Sequence, residues 1–514
     1  METKRLRRLI VYAALCLFMA LTGAGLFVTA HLCRQSWSHE AIVFSHDGLL
    51  SNLALTALLL AAMLALYRLL ERFSGVKQSV VLLGAWMVGT LVLVLGANIR
   101  QMYDFAYVIE GAELFAAGNY KPLTIDYFNV YSYQLGICFP MEVLLRLAPG
   151  LNLSLFMQAF NVIVSAGTAG ALTALCRVVF SPEEERAALL LFVLFLPLAL
   201  QCIFVYGTLP MLLMTALAAL CFALYLQTRR ARFGLAYAVC IAVAYVLKPN
   251  AAVPLIALVI CAVLDGLQSR DKRLYGFAAL SVVLAVGLLR LVIVQYELRA
   301  GVTLTGDVSM LARMAMGLQR GGAQAGWFNR YIEQFFPFEV TAEQERAIAS
   351  ADIVTRLKEM WADPGMALAF FGDKLLSQWL EPSYGAMWYG DLCEHAGALA
   401  QGTQAIFADG GAIRAALERY MGAYQKMMYA LSCVGLVSLL RDKRENLPAL
   451  ALSLCALGGC LYHMLFEAKA QYSYMYAVLM MPVAARGLCA MANRLKAGRR
   501  EPRAGNCAAH NGKA

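Results

Sequence analysis

The chain contains 514 residues, of which 61% are hydrophobic and only 15% are charged, and its formal net charge is +10. A soluble domain is typically about 45–50% apolar and about 25% charged. The apolar excess lies in long uncharged runs, several of which reach the roughly 20 residues that a helix needs to cross a bilayer core. The composition therefore predicts a polytopic membrane protein. It excludes a soluble enzyme, a nucleic-acid-binding domain and a secreted disulfide scaffold.

The positive charge is concentrated in short segments between apolar runs and at both ends of the chain. Examples are the segments 229–232 and 270–273. Short basic loops are typical of the cytoplasmic side of a membrane protein. We therefore interpret this charge as an indication of which loops are cytoplasmic. The 14 cysteines are scattered singly, without the paired spacing of a structural metal site.

The apolar runs predict membrane-spanning helices in chain order. They lie near 9–28, 50–70, 79–98, 153–179, 187–204, 209–228, 233–247, 251–266, 275–296, 421–440, 447–465 and 473–492.

The number of crossings must agree with the positions of the basic loops. These loops place 99–130 and 297–420 outside, which requires an even number of crossings between them. The stretch 134–148 is the weakest of seven candidates, because it contains Pro140, Glu142 and Arg146. We interpret it as a helix in the membrane interface, which gives about 12 spans with both termini cytoplasmic. The alternative is that 134–148 crosses and a later pair of runs forms one span.

The predicted fold class is all-α, a polytopic bundle of transmembrane helices with exterior amphipathic surface helices. Its predicted parts are two N-terminal transmembrane helices (1–78), a transmembrane module (79–300) with a first exterior loop (99–152), a large exterior loop (301–420), C-terminal transmembrane helices (421–495) and a cytoplasmic tail (496–514).

Asp104 is the first carboxylate beyond the third predicted span. Apolar residues at 105, 108, 109, 112, 115 and 116 have helical spacing, and Gly118 stands where such a helix would end. We therefore expect an amphipathic helix on the outer leaflet that begins at Asp104. An ionisable group at a membrane face has an unfavourable free energy unless water solvates it, so such a group often has a function. Asp104 is thus either a general base that faces a cavity or a solvated residue at a helix start.

Six short motifs follow one another in the order found in a known superfamily. They are Asp104 with Gly118-Asn119-Tyr120, Tyr127-Phe128 with Tyr131 and Gln134-Leu135-Gly136, Tyr206-Gly207-Thr208-Leu209-Pro210, Lys248-Pro249-Asn250, Trp379-Leu380-Glu381-Pro382, and Glu467 with Gln471-Tyr472.

This series resembles the GT-C membrane glycosyltransferases. Within them it is most similar to the bacterial family that contains protein O-mannosyltransferases and aminoarabinose transferases, glycosyltransferase family 39. The resemblance covers 79–300 well and 365–385 and 460–490 in patches. It does not cover 1–78 or most of 300–365.

The resemblance implies that a sugar moves from a polyprenyl-phosphate donor to an acceptor at the exterior face of the plasma membrane. The acceptor is left open among a glycan, a lipid, a wall polymer and a protein. Asp104 would take the proton of the acceptor hydroxyl, and a single displacement would invert the anomeric configuration. The leaving phosphate needs cations, for which Lys248, Arg100 and Lys469 are the candidates.

Such relatives often carry Arg-Tyr where this chain has Gln471-Tyr472, and Lys469 is the candidate to replace that arginine. The candidate substrate-binding residues are Asp126, Tyr127, Tyr131, Gln134, Trp379, Glu381, Glu467 and Tyr472.

Most of these residues also have a purely structural interpretation. Asp126 fits an ordinary loop, and Trp379 fits the anchor of a surface helix. Lys248 fits a lysine that snorkels to the headgroups, and Glu467 fits a solvated loop tip. The pattern contains no set of metal ligands, which leaves a divalent cation open as a cofactor.

The alternative function is that of a transporter or flippase for a lipid-linked or small polar substrate. Pro140, Pro197 and Pro254 interrupt apolar runs, as proline does in transporters with broken helices. Charges in the middle of the predicted spans are scarce, however, and a large exterior loop is better suited to a transferase. A non-catalytic scaffold would explain none of the ordered motifs.

Overall fold

The structure is a computed structural model that describes residues 2–36, 39–46, 48–72, 75–124, 127–336, 340–442 and 446–497. Within these ranges the fold is a bundle of α-helices with one two-stranded sheet. The predicted all-α polytopic class is therefore confirmed, with one small exception in the N-terminal part. The predicted tail lies outside the described residues from position 498 onward.

The N-terminal part contains a β-hairpin between its two predicted helices. Helix α1 (Glu2–Phe27) runs directly into strand β1 (Val28–Ser36), which pairs antiparallel with β2 (His39–His46), and α2 (Leu49–Leu70) follows. The sequence predicted the helices but not the strands.

The segment 99–152, which the sequence analysis placed outside, is built from short helices. After α3 (Gly75–Ala97) come α4 (Asp104–Ala116), α5 (Tyr127–Val130) and α6 (Leu135–Leu147). Helix α4 begins at Asp104, and Gly118 beyond its end has a φ of +79°. The 13 residues of α6 would extend only about 20 Å. That length is too short to cross a bilayer core of about 30 Å.

The remaining helices form the rest of the bundle and the segment 301–420. The bundle continues with α7 (Leu153–Val179), α8 (Pro182–Val193), α9 (Leu196–Gln201), α10 (Thr208–Thr228), α11 (Ala231–Leu247), α12 (Ala252–Ser269) and α13 (Arg273–Ala300). The segment 301–420 contains α14 (Met310–Gly317), α15 (Ala342–Ala362), α16 (Pro364–Trp379), α17 (Ala386–Leu392) and α18 (Ala400–Phe407). The chain ends with α19 (Ala412–Arg441), α20 (Leu447–Leu465), α21 (Ala470–Leu479) and α22 (Met481–Ala497).

The chain is a multi-pass membrane protein. In the described residues, eight helices are long and apolar enough to cross a membrane, or nine if α21 and α22 form one span bent by 53°. The three other predicted spans fall on the interrupted pair α8 and α9, on the 17-residue α11 and on α19. Every predicted span thus has a helical counterpart, while the total of about 12 crossings stays a prediction.

Candidate active site

Asp104 is fixed by the residues that lead into α4. Gln101 donates from Nε2 to the carbonyl of Ile203 at 2.9 Å and accepts from the amide of Val205 at 3.0 Å. The next aromatic residue, Phe105, packs edge-on against Tyr206, with ring centroids 5.2 Å apart. These contacts hold the start of α4 against the connection between α9 and α10.

Lys248 lies between α11 and α12, beside the same connection. Only 6% of its surface is exposed. Its Nζ donates to Oγ1 of Thr208 at 2.8 Å and lies 3.8 Å from the ring centroid of Tyr206. Burial lowers the pKa of Lys248 to about 7, although Asp104 and Glu467 oppose the shift. The electron-rich ring face compensates part of the desolvation of the ammonium group.

Glu467 and Lys469 lie on the connection between α20 and α21. The amide of Ala468 donates to the carbonyl of Gly326 at 2.8 Å, which ties this connection to the segment between α14 and α15. Desolvation lowers the pKa of Lys469, but nearby Glu40, Tyr389, Glu467 and Asp104 outweigh it. The pKa of Lys469 is therefore well above its ordinary value.

The environment of the two carboxylates of the cluster, Asp104 and Glu467, favours their neutral form. The Asp104 side chain is partly open to solvent, yet desolvation by the surrounding protein raises its pKa above the ordinary value. Lys469, Lys248 and a hydrogen bond with Tyr127 oppose this shift. Burial likewise raises the pKa of Glu467, while Lys469 lowers it. The site therefore combines proton acceptors of raised pKa with two ammonium groups, a combination typical of catalytic clusters.

Tyrosine side chains form one wall of the cluster. Gln134, which is 2% exposed, donates to the hydroxyl of Tyr127 at 3.0 Å and also to the hydroxyl of Tyr206. The rings of Tyr127 and Tyr131 are 4.9 Å apart. Lys248 also lies 5.9 Å from the ring centroid of Tyr472. The structure thus brings together the predicted residues Asp104, Lys248, Lys469, Glu467, Tyr127, Tyr131, Gln134 and Tyr472.

Three other predicted residues do not join this cluster. Arg100 pairs with Glu394 at 3.1 Å, and both side chains are mostly exposed. Trp379 is fully buried and stacks on Tyr476. Glu381 is 2% exposed, and its carboxylate accepts three hydrogen bonds from the following turn.

The roles expected for these three residues stay predictions, and the structure shows only that they lie outside the cluster. Arg100 pairs with Glu394 on the surface, so the structure does not bring it into the cluster. Trp379 is the last residue of α16 and Glu381 follows it, and both are buried. Asp126, the remaining candidate, lies outside the described residues.

The sequence did not single out two residues that the structure adds. Arg313 on α14 pairs with Asp307 at 3.1 Å, and its guanidinium lies 5.4 Å from the ring centroid of Tyr131. Glu40 on β2 lies with its carboxylate 3.4 Å from Nζ of Lys469. Both come from parts of the chain that the resemblance does not cover, and neither stands in a recognisable motif.

A narrow cavity opens beside Lys248. It is lined by Phe105, Gln201, Phe204, Tyr206, Thr208, Leu209, Lys248, Gln471 and Tyr474. Among the residues that the structure describes, no group of three or more His, Cys, Asp or Glu side chains is arranged to hold a metal ion.

The sequence matches no family model and no curated protein. The structure is similar to the oligosaccharyltransferase AglB of Archaeoglobus fulgidus, solved with an inhibitory peptide and a dolichol-phosphate. The two are 12% identical, the TM-score is 0.41, and the match covers 87% of this chain and 53% of that one.

A second structure of an oligosaccharyltransferase from the same organism, tethered to an acceptor peptide with an NVT sequon, gives 12% identity and a TM-score of 0.44. That match covers 82% of this chain and 51% of the other. The chain thus spans about half the length of both solved structures. Because both TM-scores are low, the function of the site has to be judged from its own residues.

Proposed function

We propose that the chain is an integral membrane glycosyltransferase, which moves a sugar from a polyprenyl-phosphate-linked donor to an acceptor hydroxyl at the exterior membrane face. One observation carries the proposal. Asp104, a carboxylate of raised pKa, lies in one cluster with the ammonium groups of Lys248 and Lys469. This arrangement matches a reaction in which one group loses a proton while a phosphate anion departs.

The proposed reaction is a single displacement. The acceptor oxygen attacks the anomeric carbon, and its proton passes to a carboxylate oxygen of Asp104. The bond between the anomeric carbon and the phosphate oxygen breaks, and the polyprenyl phosphate leaves with the electron pair. Because the acceptor attacks from the face opposite the leaving group, the anomeric configuration inverts.

The two lysines would stabilise the leaving phosphate. Negative charge grows on the bridging oxygen in the transition state, so preorganised cations lower the barrier. Lys248 is held by Thr208 and by the ring of Tyr206. Since burial lowers the pKa of Lys248, a phosphate anion would restore its positive charge on binding.

The tyrosine wall would bind the sugar and the acceptor. Tyr127, Tyr131 and Tyr472 offer ring faces and hydroxyl groups to a polar ring substrate. Glu467 has a raised pKa, so it would accept a hydrogen bond from the acceptor or donate one. Gln134 would act indirectly, because it is buried and orients the hydroxyls of Tyr127 and Tyr206.

The proposal is tested by sugar transfer in proteoliposomes. Wild type is supplied with a panel of polyprenyl-phosphate sugars and a mixture of acceptor classes, beside Asp104→Asn. The matched control is Glu110→Gln, because Glu110 is an exposed carboxylate on the same helix. We expect wild type and the control to consume one donor and Asp104→Asn to lose about 100-fold or more in kcat.

Two outcomes would contradict the proposal. Equal transfer by Asp104→Asn and wild type would show that Asp104 is not the base. If no donor were consumed while a labelled lipid-linked sugar crossed the bilayer in the presence of wild type, the protein would be a transporter or flippase. An inversion of the product's anomeric configuration, read by NMR, would support the single displacement.

A further inference from the structure

The N-terminal β-hairpin is firmly attached to the large exterior loop. The amide of Ala30 on β1 donates to the carbonyl of Leu380 at 3.1 Å, and the amide of Ile42 on β2 donates to the carbonyl of Ala323 at 3.3 Å. Arg414, which is 4% exposed, donates to the carbonyl of Leu32 at 3.2 Å. The hairpin therefore forms part of the wall around the candidate site.

Glu40 lies on the face of β2 that is turned toward the protein. Side chains alternate between the two faces of a strand, and Ile42, two residues further along, is buried while Val43 is exposed. The carboxylate of Glu40 is 3.4 Å from Nζ of Lys469, and more than four fifths of each side chain is buried. The ion pair is thus held between two anchored segments and not between two mobile surface chains.

We propose that Glu40 is a positioning residue of the site, which holds the Lys469 ammonium toward the leaving phosphate and away from the catalytic carboxylate. This inference rests on the proposed function. It gives the N-terminal hairpin, a part of the chain outside the family resemblance, a direct role in the reaction.

The charges around Lys469 explain why such a residue is needed. The titratable groups near its ammonium come from several segments. Glu40 on β2, Tyr389 on α17, Glu467 on the same connection and Asp104 on α4 favour its charged form, Lys248 between α11 and α12 opposes it, and Tyr131 also lies nearby. Of these, Glu40 supports the charged form most strongly. Without Glu40, the remaining carboxylates that attract Lys469 are Glu467 and Asp104. An ion pair with Asp104 would lower its pKa and make it a weaker base.

The inference predicts a shift in the pH profile with a definite sign. In Glu40→Gln a negative charge is lost near Glu467, and Lys469 is free to approach Asp104. Both changes favour the ionised carboxylates, so the acid limb of kcat/KM should move to lower pH. The donor KM should rise roughly fivefold, because Lys469 is no longer held toward the phosphate.

The experiment compares wild type, Glu40→Gln, Glu40→Asp and Val43→Thr in proteoliposomes with a donor that wild type consumes. Glu40→Asp keeps the charge and should keep the acid limb close to that of wild type. Val43→Thr alters the exposed face of the same strand and should change neither the donor KM nor the acid limb. A merely structural role would lower the rate of Glu40→Gln at every pH without moving the limb. That result, or a wild-type profile and KM, would overturn the inference.

A failure of the proposed function would be recognised separately. If wild type transfers no sugar and instead moves a labelled lipid-linked sugar across the bilayer, the proposed function fails, and the role of Glu40 is measured by binding of a polyprenyl phosphate alone. In that case a thermal stabilisation by polyprenyl phosphate that is lost in Glu40→Gln, and kept in Glu40→Asp and Val43→Thr, supports the phosphate-directing role. An unchanged stabilisation in Glu40→Gln overturns it.

Discussion

Gly207 and Leu247 approach each other so closely that a β-carbon on Gly207 would lie 2.1 Å from the carbonyl oxygen of Leu247. The φ of Gly207 is −65°, so the close approach, and not the backbone conformation, requires glycine. Thr208 follows Gly207, and Lys248 follows Leu247. The contact therefore brings the start of α10 to the end of α11 and allows Lys248 to reach Thr208 at 2.8 Å.

We expect Gly207→Ala to impair donor binding. The added methyl group has to displace backbone rather than a flexible side chain, and such overpacking costs about 1–3 kcal/mol. The displacement would separate Lys248 from Thr208 and raise the donor KM. The measurement is steady-state transfer together with the unfolding temperature.

The control for this substitution is Gly170→Ala on α7. A β-carbon at Gly170 would meet nothing within 4 Å, so this variant should keep the wild-type KM and be equally stable or slightly more stable. Equal donor KM values for Gly207→Ala and wild type would show that the close contact does not position Lys248.

The parts of the site that could be predicted are those with a local sequence signal. The start of α4 at Asp104 could be predicted from the spacing of the apolar residues, and its end could be predicted from Gly118. Lys248 was recognised between two apolar runs, next to Pro249. Long apolar runs likewise indicated the helices of the bundle, since length and composition suffice for that inference.

The missed parts depend on contacts between distant segments. The strands β1 and β2 are held by backbone hydrogen bonds to Leu380 and Ala323, which no local pattern reveals. Glu40 therefore could not be connected with Lys469, more than 400 positions away in the chain. The burial of Trp379 could not be predicted either, because a sequence motif does not show which side of a helix is packed against the protein.

The charges of Asp104 and Lys248 predict a bell-shaped pH dependence. Desolvation by the surrounding protein raises the pKa of Asp104 above its ordinary value, and burial lowers the pKa of Lys248 to about 7. The profile of kcat/KM, which reports the free enzyme, should therefore lose activity above about pH 7 as Lys248 becomes neutral. At saturating donor the phosphate stabilises the ammonium, so the alkaline limb of kcat should lie at higher pH.

The titration of Lys248 should also make the free energy of unfolding depend on pH. The folded pKa of Lys248 is about 7, below the ordinary value of 10.5. Between these values the unfolded chain binds a proton that the folded chain does not, and stability from this group rises with pH. Lys248→Met should remove both this rise and the alkaline limb of kcat/KM. An alkaline limb that persists unchanged in Lys248→Met would assign it to another group.

Glu142 should contribute to stability rather than to catalysis. It is 1% exposed and connects α6 to α13, because its carboxylate accepts from Arg299 and from the hydroxyl of Tyr296, both at 2.6 Å, and from Arg146 at 2.9 Å. Removing one partner of a buried ion pair leaves the others unsatisfied. Since both arginines are partly exposed, we expect Glu142→Gln to cost about 2–3 kcal/mol.

The pH dependence of that loss separates the ion pair from general packing. Desolvation raises the pKa of Glu142, but the hydrogen bonds of Tyr296, Arg299 and Arg146 outweigh it and hold the pKa below its ordinary value. The stabilisation is therefore present above the pKa of the unfolded chain and is lost as the pH falls through the lower folded value. Unfolding temperatures of wild type and Glu142→Gln should converge in acid, while exposed Glu110→Gln matches wild type throughout. A difference that persists at low pH would mean that shape, and not charge, holds α6 in place.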